Sequence, residues 1–425
     1  MKNVILIIVL ISTIAYSEIS FGQNYYDNNL VLKTINYDIN FKIDIKNKKI
    51  HSVCELKLLN PTKEKTQTIP FLLYRLLNVS SIKDENGKTL PFKQQVRTFE
   101  DWDILQVNFI EVTLDEPILE NKTKKIIIEY SGHLLGYSET GMKYIKDKID
   151  SEFTIIRPDC LSYPIIGKPA SNTLKSIAYQ NFNYNIRITV PDSLFVVNGG
   201  FLLNKNTNKH LSTFQYKSIA PTSRIDITIS KYKIIQKKGM KTYYFEKDSI
   251  EAKKIEEIMI ATFDLYSKWW GNLKEVKTFS LIEIPKGYGS QANQNYILQT
   301  ATAFNDISQM EQLYHEISHL WNVNPLDKNY SRWNEGLATF IQYLTVEKLE
   351  NRNVLNNAEK LILEKIKKNI TSDTLFANTP MVDYGKKNLT DYSYLVGMIM
   401  FDLLYKIVGE KQFNTIISAY YQIIL

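Results

Sequence analysis

Hydrophobic and polar residues alternate with a period of two through much of the first half of the chain. The segments INYDINFKIDI, KKIHSVCELKLLN and KKIIIEYSG show this alternation, and turn-forming stretches such as NPTKEK and KDENGK separate them. Successive side chains of a β-strand point to opposite faces of a sheet, so this pattern predicts strands with one buried face. Similar runs continue as far as SRIDITISKYKII. The pattern therefore predicts an N-terminal antiparallel β-sandwich over residues 23–234.

The spacing of the apolar residues changes after residue 234. The segment SIEAKKIEEIMIATFDLYSKWWG places them at helical intervals between charged residues, and it begins at a serine that could cap a helix. A strand-like FSLIEI and an irregular PKGYGSQANQNYILQTATAF follow, and then the helical patterns of NEGLATFIQYLTVEKLE and SYLVGMIMFDLLYKIV. The chain thus reads as a multi-domain α and β protein, with an α+β domain over residues 235–425.

The first residues have the layout of a secretory signal peptide. Lys2 precedes an apolar run from Val4 to Ile14, and small residues follow at Ser20 and Gly22. We expect cleavage after Gly22, which makes residues 1–22 the signal peptide. An uncleaved membrane anchor is the alternative, but the run is short for a span. No later stretch is apolar enough to be a transmembrane segment, so we expect a periplasmic or secreted protein.

The composition and charge of the chain indicate a folded protein without a nucleic-acid partner. Hydrophobic residues make up 44% of the 425, as a chain with buried cores requires. The net charge of +7 is spread over 52 basic and 45 acidic residues without a long basic block, which gives no reason to expect a nucleic-acid partner. The two cysteines, Cys54 and Cys160, do not make a disulfide scaffold. Their spacing leaves open whether they pair.

The segment HEISH contains the first candidate site. A helix is expected from about Ile307 to Trp321, because Asn305 or Asp306 can cap it and it contains neither glycine nor proline. His315 and His319 are four residues apart, so their imidazoles should project from one helix face, about one turn apart. That arrangement suits a single zinc ion. Two ordinary histidines on an amphipathic helix are the alternative.

Two glutamates favour the metal site over that alternative. Glu335, in RWNEGLATFIQYL, lies at the start of another predicted helix and can supply the third ligand of a His2Glu site. Such a site leaves a fourth position for water, as a catalytic zinc site requires. Glu316 directly follows the first ligand and is the candidate general base, which would accept a proton from the water that attacks an amide carbonyl.

These residues resemble peptidase family M1, the relatives of aminopeptidase N and leukotriene hydrolase. The family pattern is HExxH followed by a distal glutamate in an Asn-Glu-Gly context, and here the matching segments are HEISHLW and RWNEGLA. The likeness extends to Asn324 and, in the first domain, to INYDINFKI, Tyr163 with Pro164, and VPDSLFVVNGG. The resemblance implies a β-sandwich followed by a thermolysin-like zinc domain, one Zn²⁺ ion, and peptide or protein substrates.

The resemblance also suggests residues that spacing alone does not. Family members carry a tyrosine in a YxxG segment that hydrogen-bonds the oxyanion, and Tyr394 in YLVG is similar. Their GxMEN strand, whose glutamate binds the free amino group of the substrate, best matches QANQN. The implied substrate-binding residues are Gln291, Ala292, Asn293, Gln294 and Asn295.

Several positions depart from the family pattern. Gln294 stands in for the amine-binding glutamate, and a neutral amide should bind an ammonium group more weakly. Fifteen residues separate His319 from Glu335, fewer than the family usually has. Gln342 replaces an acid that orients a ligand histidine. The chain also ends at Leu425 without the family's large C-terminal helical domain, so a more open cleft is expected.

These observations leave several functions open. The predicted function is zinc-dependent, aminopeptidase-like hydrolysis of peptide bonds outside the cytoplasm. A related endopeptidase is one alternative, and a non-catalytic binding protein on a metallopeptidase fold is another. The glycyl aminopeptidase family, whose pattern also contains HxWNV, is a further relative to consider, because HLWNV occurs here. That family would change the specificity more than the mechanism.

Overall fold

The structure is a computed structural model, and it describes most of the chain. The described residues are 32–100, 102–141, 145–170, 173, 180–273, 278–293, 295–322, 332–387 and 389–424. The predicted signal peptide, Gln294 and Asn324 lie outside these ranges. Among the described residues, no helix is both long enough and apolar enough to cross a membrane.

In the described part of residues 23–234, where the alternating pattern predicted a sandwich, the chain forms fourteen strands. They form a seven-stranded sheet (β12-β13-β10-β1-β2-β7-β4), a four-stranded sheet (β5-β6-β3-β9) and a three-stranded sheet (β11-β14-β8). The strands are β1 Lys33–Asp44, β2 Lys49–Leu59, β3 Thr66–Tyr74, β4 Leu77–Asp84, β5 Phe92–Phe99, β6 Trp102–Ile118, β7 Thr123–His133, β8 Phe153–Ile156, β9 Ile165–Ile166, β10 Asn183–Pro191, β11 Phe195–Asn198, β12 Phe201–Asn208, β13 Leu211–Lys217 and β14 Ile227–Ser230.

One apolar core joins these three sheets. Phe41 and Cys54 of the seven-stranded sheet, Phe71 of the four-stranded sheet and Ile227 of the three-stranded sheet all belong to it. Strand pairs are antiparallel as expected, except that β1 runs parallel to β10. Both cysteines are buried free thiols. The pairing that the spacing left open is therefore absent for Cys54 and Cys160 in this structure.

The part of the chain from Lys233 onward contains a mixed five-stranded sheet, ordered β15-β16-β17-β19-β18. Its members are β15 Lys233–Lys237, β16 Met240–Tyr244, β17 Phe279–Ile284, β18 Gln291–Asn293 and β19 Tyr296–Thr300. The segment that sequence reasoning treated as irregular contains β18 and β19. Because β15 already begins at Lys233, the new sheet starts close to the predicted boundary at 234/235. The division into two domains at that point stays a prediction.

Eight α-helices follow or interrupt this sheet in the described part of the chain. They are α1 Ser249–Trp270, α2 Thr302–Asn305, α3 Glu311–Ser318, α4 Trp333–Glu350, α5 Leu355–Ser372, α6 Thr374–Asn378, α7 Ser393–Val408 and α8 Glu410–Ile424. Their apolar faces pack with the sheet around a second core that includes Trp270, Leu281, Trp321, Phe340 and Phe413. The observed architecture is therefore mixed α and β, in agreement with the prediction.

Polar contacts and a third apolar cluster join the two regions. The hydroxyl of Tyr296 in β19 donates to Asp226 at 2.5 Å, and the hydroxyl of Tyr232 donates to the backbone oxygen of Glu283 at 2.8 Å. The cluster combines residues such as Phe153 of β8 with residues such as Leu298 of β19. The sheet that ends at β18 is thus held against the N-terminal strands.

Candidate metal centre

The helix that carries HEISH is shorter than the sequence predicted. A 3₁₀ helix spans Ile307–Met310, and α3 begins only at Glu311 and ends at Ser318. The side chain of Asn305, one of the two expected caps, instead donates to the backbone oxygen of Ala301 within the preceding turn. His319 follows the end of α3 but keeps a helical backbone, with φ −61° and ψ −19°. The four-residue spacing of the two histidines therefore still places them on one face.

The three predicted ligand atoms converge on one point. The two Nε2 atoms of His315 and His319 lie 3.2 Å apart, and each lies 3.3 Å from Oε2 of Glu335. For a tetrahedral zinc ion with bonds of about 2.0–2.1 Å, any two ligand atoms are about 3.3–3.4 Å apart. The observed triangle has this size without any rearrangement of the side chains. His315, His319 and Glu335 therefore fit a His2Glu zinc site.

Burial and charge prepare Glu335 to act as an anionic ligand. Burial opposes its ionisation, but hydrogen bonds from His315 and His319 and the charge of Arg332 outweigh it and hold the pKa of Glu335 well below its usual range. The residue is only 8% exposed. The carboxylate of Glu335 is therefore ionised although it is buried, and a cation bound to it would be partly shielded from water.

Glu316 lies beside the triangle without contributing an atom to it. The backbone N–H of Ala292, in β18, lies next to its carboxylate and favours the ionised form. Burial raises the pKa of Glu316 to about 7, while His315 and the Ala292 N–H oppose the shift. A carboxyl group with a pKa near neutrality can both accept a proton and return it, as a general acid–base group must.

Tyr394 reaches the same centre from α7. Its ring lies parallel to that of His315, with 6.0 Å between the ring centroids and 7° between the planes. Burial, with a further contribution from the charge of Glu335, raises the pKa of Tyr394 far above its ordinary value. The hydroxyl therefore keeps its proton at neutral pH and can donate a hydrogen bond to a developing oxyanion.

Aromatic and amide side chains hold the ligand-bearing helices in place. Trp321, just after His319, is buried and donates from Nε1 to the backbone oxygen of Gly271 at 2.7 Å. Asn322 donates to the backbone oxygen of Asn334, the residue before Glu335. The segment after α3 is thereby tied both to the end of α1 and to the first turn of α4.

A pair of glycines, which sequence reasoning passed over as determinants of the site, brings Glu335 next to Tyr394. A Cβ on Gly397 would lie 2.8 Å from Cα of Gly336, and a Cβ on Gly336 would overlap the backbone of Gly397. Helices α4 and α7 therefore cross with their backbones in contact. The glycine of YxxG could have indicated this contact, because Gly397 follows Tyr394 by one helical turn and Gly336 follows Glu335 directly.

Replacing Gly336 by alanine should destabilise the protein. Helix propensity alone favours alanine by about 1 kcal/mol. The new methyl group has no space against Gly397, however, and overpacking of this kind costs about 1–3 kcal/mol. We expect a net loss of unfolding free energy in denaturant titrations, together with reduced zinc affinity as Glu335 shifts. The matched control is Gly289→Ala, because a Cβ at Gly289 meets nothing within 4 Å. A Gly336→Ala protein as stable as the native chain would contradict the crossing.

Four of the five predicted substrate-binding residues are described, and these four lie on or next to the edge strand β18. Gln291, Ala292 and Asn293 pair with β19, and all three are half-buried. The side-chain amide of Asn293 donates to the hydroxyl of Tyr296 at 2.9 Å. That of Asn295 donates to the backbone oxygen of Gly199 in the N-terminal region. Among these four, Ala292 lies with its backbone N–H next to Glu316. The substrate-binding role of all five residues stays a prediction.

Arg332 is a residue of this centre that sequence reasoning did not identify. Its Nη2 atom donates to Oε1 of Glu335 at 2.8 Å and lies 3.4 Å from the hydroxyl of Tyr394. The only signal in the sequence is a cation three residues before the ligand glutamate. Gln342, the substitute for the family's orienting acid, is half-buried on α4. Its hydrogen bond to a ligand histidine stays a prediction.

Known proteins resemble this chain in three-dimensional structure but were not matched by sequence. No protein-family model and no curated protein matches the sequence. The crystal structure of an M1 zinc metallopeptidase from Deinococcus radiodurans is similar over 92% of this chain and 87% of that one, with a TM-score of 0.64 and 15% identity. A glutamate-to-alanine mutant of that protein, bound to a Tyr-Ser-Ala substrate, matches over the same shares with a TM-score of 0.63 and 15% identity.

The similarity spans both the N-terminal strands and the helices around the candidate metal centre. A TM-score of 0.64 over nine-tenths of the chain indicates the same arrangement of elements, although few residues are identical. The resemblance inferred from HEISH and the distal Glu335 therefore agrees with the three-dimensional comparison. The chain has the fold of the M1 zinc metallopeptidases.

Proposed function

We propose that this protein is a zinc-dependent peptidase with an aminopeptidase-like active site. The observation that carries the proposal is the triangle of His315, His319 and Glu335, with sides of 3.2–3.3 Å, next to the buried carboxyl group of Glu316. Two neutral nitrogen ligands and one carboxylate are the donor set of catalytic zinc sites in peptidases. One ion fits the site, because the three atoms share a single centre.

Zinc held by this triad would act as a Lewis acid toward the peptide carbonyl and make a water molecule more acidic. The protein itself supplies the proton transfers. Glu316 accepts a proton from the attacking water as the new C–O bond forms. The same group then delivers that proton to the nitrogen of the leaving amine as the C–N bond breaks. Delivery of that proton leaves Glu316 ionised again. The acid product loses its remaining proton to solvent, so the final products are a carboxylate and an amine.

Tyr394 has the complementary role at the carbonyl oxygen. Its ring lies parallel to that of His315, and its hydroxyl keeps its proton because the pKa of Tyr394 is raised. Negative charge builds up on the carbonyl oxygen as water adds, and a fixed donor there stabilises the transition state more than the ground state.

The edge strand β18 offers a surface for an extended peptide. In the described part of its sheet, β18 pairs only with β19, so its outer backbone groups can pair with a substrate that adds as a further strand. Ala292 in this strand also contacts Glu316, so a peptide paired with β18 would pass next to the general base. The structural relative that binds Tyr-Ser-Ala suggests a short peptide as the substrate.

An endopeptidase of related type is the second candidate, and Gln294 is the observation that favours it. A glutamine in the position that resembles the family's amine-binding glutamate gives no negative charge to a substrate's ammonium group. A preference for free amino termini would then depend on neutral hydrogen bonds alone. A non-catalytic binding protein is less well supported, since binding a peptide requires neither Glu316 nor Tyr394.

A comparison of amino-free and amino-blocked peptides tests the proposed specificity. With the aminopeptidase-like site, we expect the zinc-loaded protein to cleave Tyr-Ser-Ala and its amides faster than the N-acetylated forms. We expect only a modest preference, below about ten-fold, because a neutral amide replaces a charged anchor. Gln294→Glu should increase that preference. Faster cleavage of blocked or longer peptides would establish the endopeptidase instead. Gln236→Glu, at an exposed position on β15 of the same sheet, serves as the control for added charge.

We also propose that the protein acts outside the cytoplasm, as a periplasmic or secreted enzyme. The proposal is supported by the order of residue types in the first 22 residues, where a lysine is followed by an apolar run and then by small residues. Mass spectrometry of the protein isolated from an expressing bacterial host should find Gln23 at the amino terminus. Recovery of the uncleaved chain from the cytoplasm would contradict export.

A further inference from the structure

Arg332 occupies an unusual backbone position directly before helix α4. Its φ of 56° and ψ of 36° lie in the left-handed region, which residues with a side chain adopt at a cost. Glycine or asparagine is more common in this conformation. Strained backbone conformations persist where surrounding contacts hold them, and they are frequent at functional sites. The backbone oxygen of Arg332 accepts from the N–H of Glu335 at 3.0 Å, and its guanidinium group makes further contacts.

The guanidinium joins two groups that the proposed mechanism uses. Nη2 donates to Oε1 of Glu335 at 2.8 Å and lies 3.4 Å from the hydroxyl oxygen of Tyr394. The guanidinium carbon is 5.7 Å from the centroid of the Tyr394 ring. A third partner, Asp391, lies 3.8 Å from Nη1, but its side chain is 94% exposed. Among the described residues, both hydrogen bonds of the guanidinium are therefore with groups of the metal centre.

The contact with Glu335 gives the two carboxylate oxygens different partners. Oε2 faces the two histidines, while Oε1 is bound by the guanidinium. A carboxylate held at one oxygen cannot rotate freely about its terminal bond, so it presents the other oxygen in a fixed direction. Partners of this kind orient metal ligands and affect metal affinity without touching the metal.

The contact with Tyr394 influences where the tyrosine directs its proton. Nη2 of Arg332 lies between this hydroxyl and Glu335, whose negative charge helps to raise the pKa of Tyr394 and competes with a substrate oxyanion for the proton. Because Arg332 neutralises part of the charge on Glu335, the carboxylate becomes a weaker acceptor. Arg332 also donates to the hydroxyl oxygen, and this leaves the O–H bond free to point toward another acceptor.

We propose that Arg332 is a positioning residue that binds Glu335 and Tyr394 into one hydrogen-bonded unit. It fixes the ligand carboxylate toward the metal and frees the tyrosine proton for the oxyanion. The part that concerns Tyr394 rests on the proposed peptidase function. The part that concerns Glu335 requires only that the triad binds zinc, so the two can be tested separately.

Zinc affinity, kcat and KM of Arg332→Gln and Arg332→Lys test both parts. Both variants keep a side chain on the left-handed backbone, so neither relieves that strain, and thermal melting checks that each one folds. We expect Arg332→Gln to lose about 10–100-fold in zinc affinity, measured by competition with a chelator. At saturating zinc its kcat should fall while KM stays close to the native value. Arg332→Lys should bind zinc more tightly than Arg332→Gln, because its charge can still pair with Glu335. Its kcat should stay low, because an ammonium group lacks the planar fork that reaches both partners.

A double-mutant cycle with Tyr394→Phe isolates the second contact. If Arg332 acts on turnover through the tyrosine hydroxyl, Arg332→Gln should lower kcat much less in the Tyr394→Phe protein than in the native protein. Arg352→Gln is the matched control. Arg352 follows the other end of α4, is 47% exposed, and pairs with Glu311 and Glu350. That variant should keep native zinc affinity and kcat.

Two results would overturn the inference. Native zinc affinity in a folded Arg332→Gln protein would show that Glu335 does not depend on Arg332. Fully additive effects of Arg332→Gln and Tyr394→Phe on kcat would show that the arginine does not act through the hydroxyl. If the native protein binds zinc but hydrolyses no peptide, the proposed function fails, whereas the zinc measurement still decides the role of Arg332 toward Glu335.

Discussion

Replacing Glu316 by glutamine should lower kcat by about 10²–10⁴-fold, the usual contribution of a general acid–base group. The amide has the shape of the carboxyl group and keeps an acceptor oxygen next to the backbone N–H of Ala292. It cannot take a proton from water, and it has none to give to the leaving amine. Steady-state hydrolysis of a peptide amide measures the loss.

The same variant should keep its zinc and its KM, because Glu316 is not part of the triangle formed by His315, His319 and Glu335. Zinc content and KM therefore distinguish loss of a proton acceptor from general damage to the site. Glu257→Gln, a substitution of an exposed residue on α1, controls for the change of charge. If Glu316→Gln retained native kcat, the general base would have to be another group.

Glu335→Ala should have the largest effect on metal binding. It removes one of three ligands and the carboxylate that neutralises Arg332, leaving a half-exposed guanidinium next to the two histidines. Loss of an outer partner typically costs 10–100-fold in affinity, so loss of a ligand should exceed about 100-fold. Hydrolysis should disappear at zinc concentrations that saturate the native protein.

Thermal unfolding with added zinc measures this loss without any activity assay. Zinc that binds only the folded chain should stabilise the native protein by about 2.7 kcal/mol when its free concentration is 100 times Kd. The Glu335→Ala protein should show almost no increase in Tm over the same range. Glu364→Ala, at an exposed position on α5, should respond to zinc like the native chain. An equal zinc-induced increase in Tm for Glu335→Ala would exclude Glu335 as a ligand.

The metal ligands could be predicted from the sequence because their geometry is largely local. His315 and His319 are one helical turn apart, and Glu335 lies at the start of a helix whose apolar pattern is clear. Period-two alternation likewise predicted the strands of the N-terminal region. The extent of α3 was overestimated, since capping and composition do not show that the first turn is 3₁₀.

The remaining parts of the site depend on contacts between distant segments. Strands β18 and β19 are short and lie in a polar stretch, so their pattern is too weak to indicate a sheet edge. The crossing at Gly336 and Gly397 brings together residues 61 positions apart. The glycine of YxxG could suggest a close contact, but it could not identify the partner. The position of Arg332 depends on this same crossing, because it places Tyr394 of α7 next to the start of α4.

Zinc titration of the metal-free protein, with peptide hydrolysis followed at each addition, tests the central claim most directly. The account predicts no hydrolysis after chelation, and activity that returns in proportion to bound zinc up to one ion per chain. The same titration of His319→Ala should restore nothing at those concentrations. Hydrolysis that persists in the chelated protein, or a fully zinc-loaded native protein that cleaves neither amino-free nor blocked peptides, would contradict the proposed function.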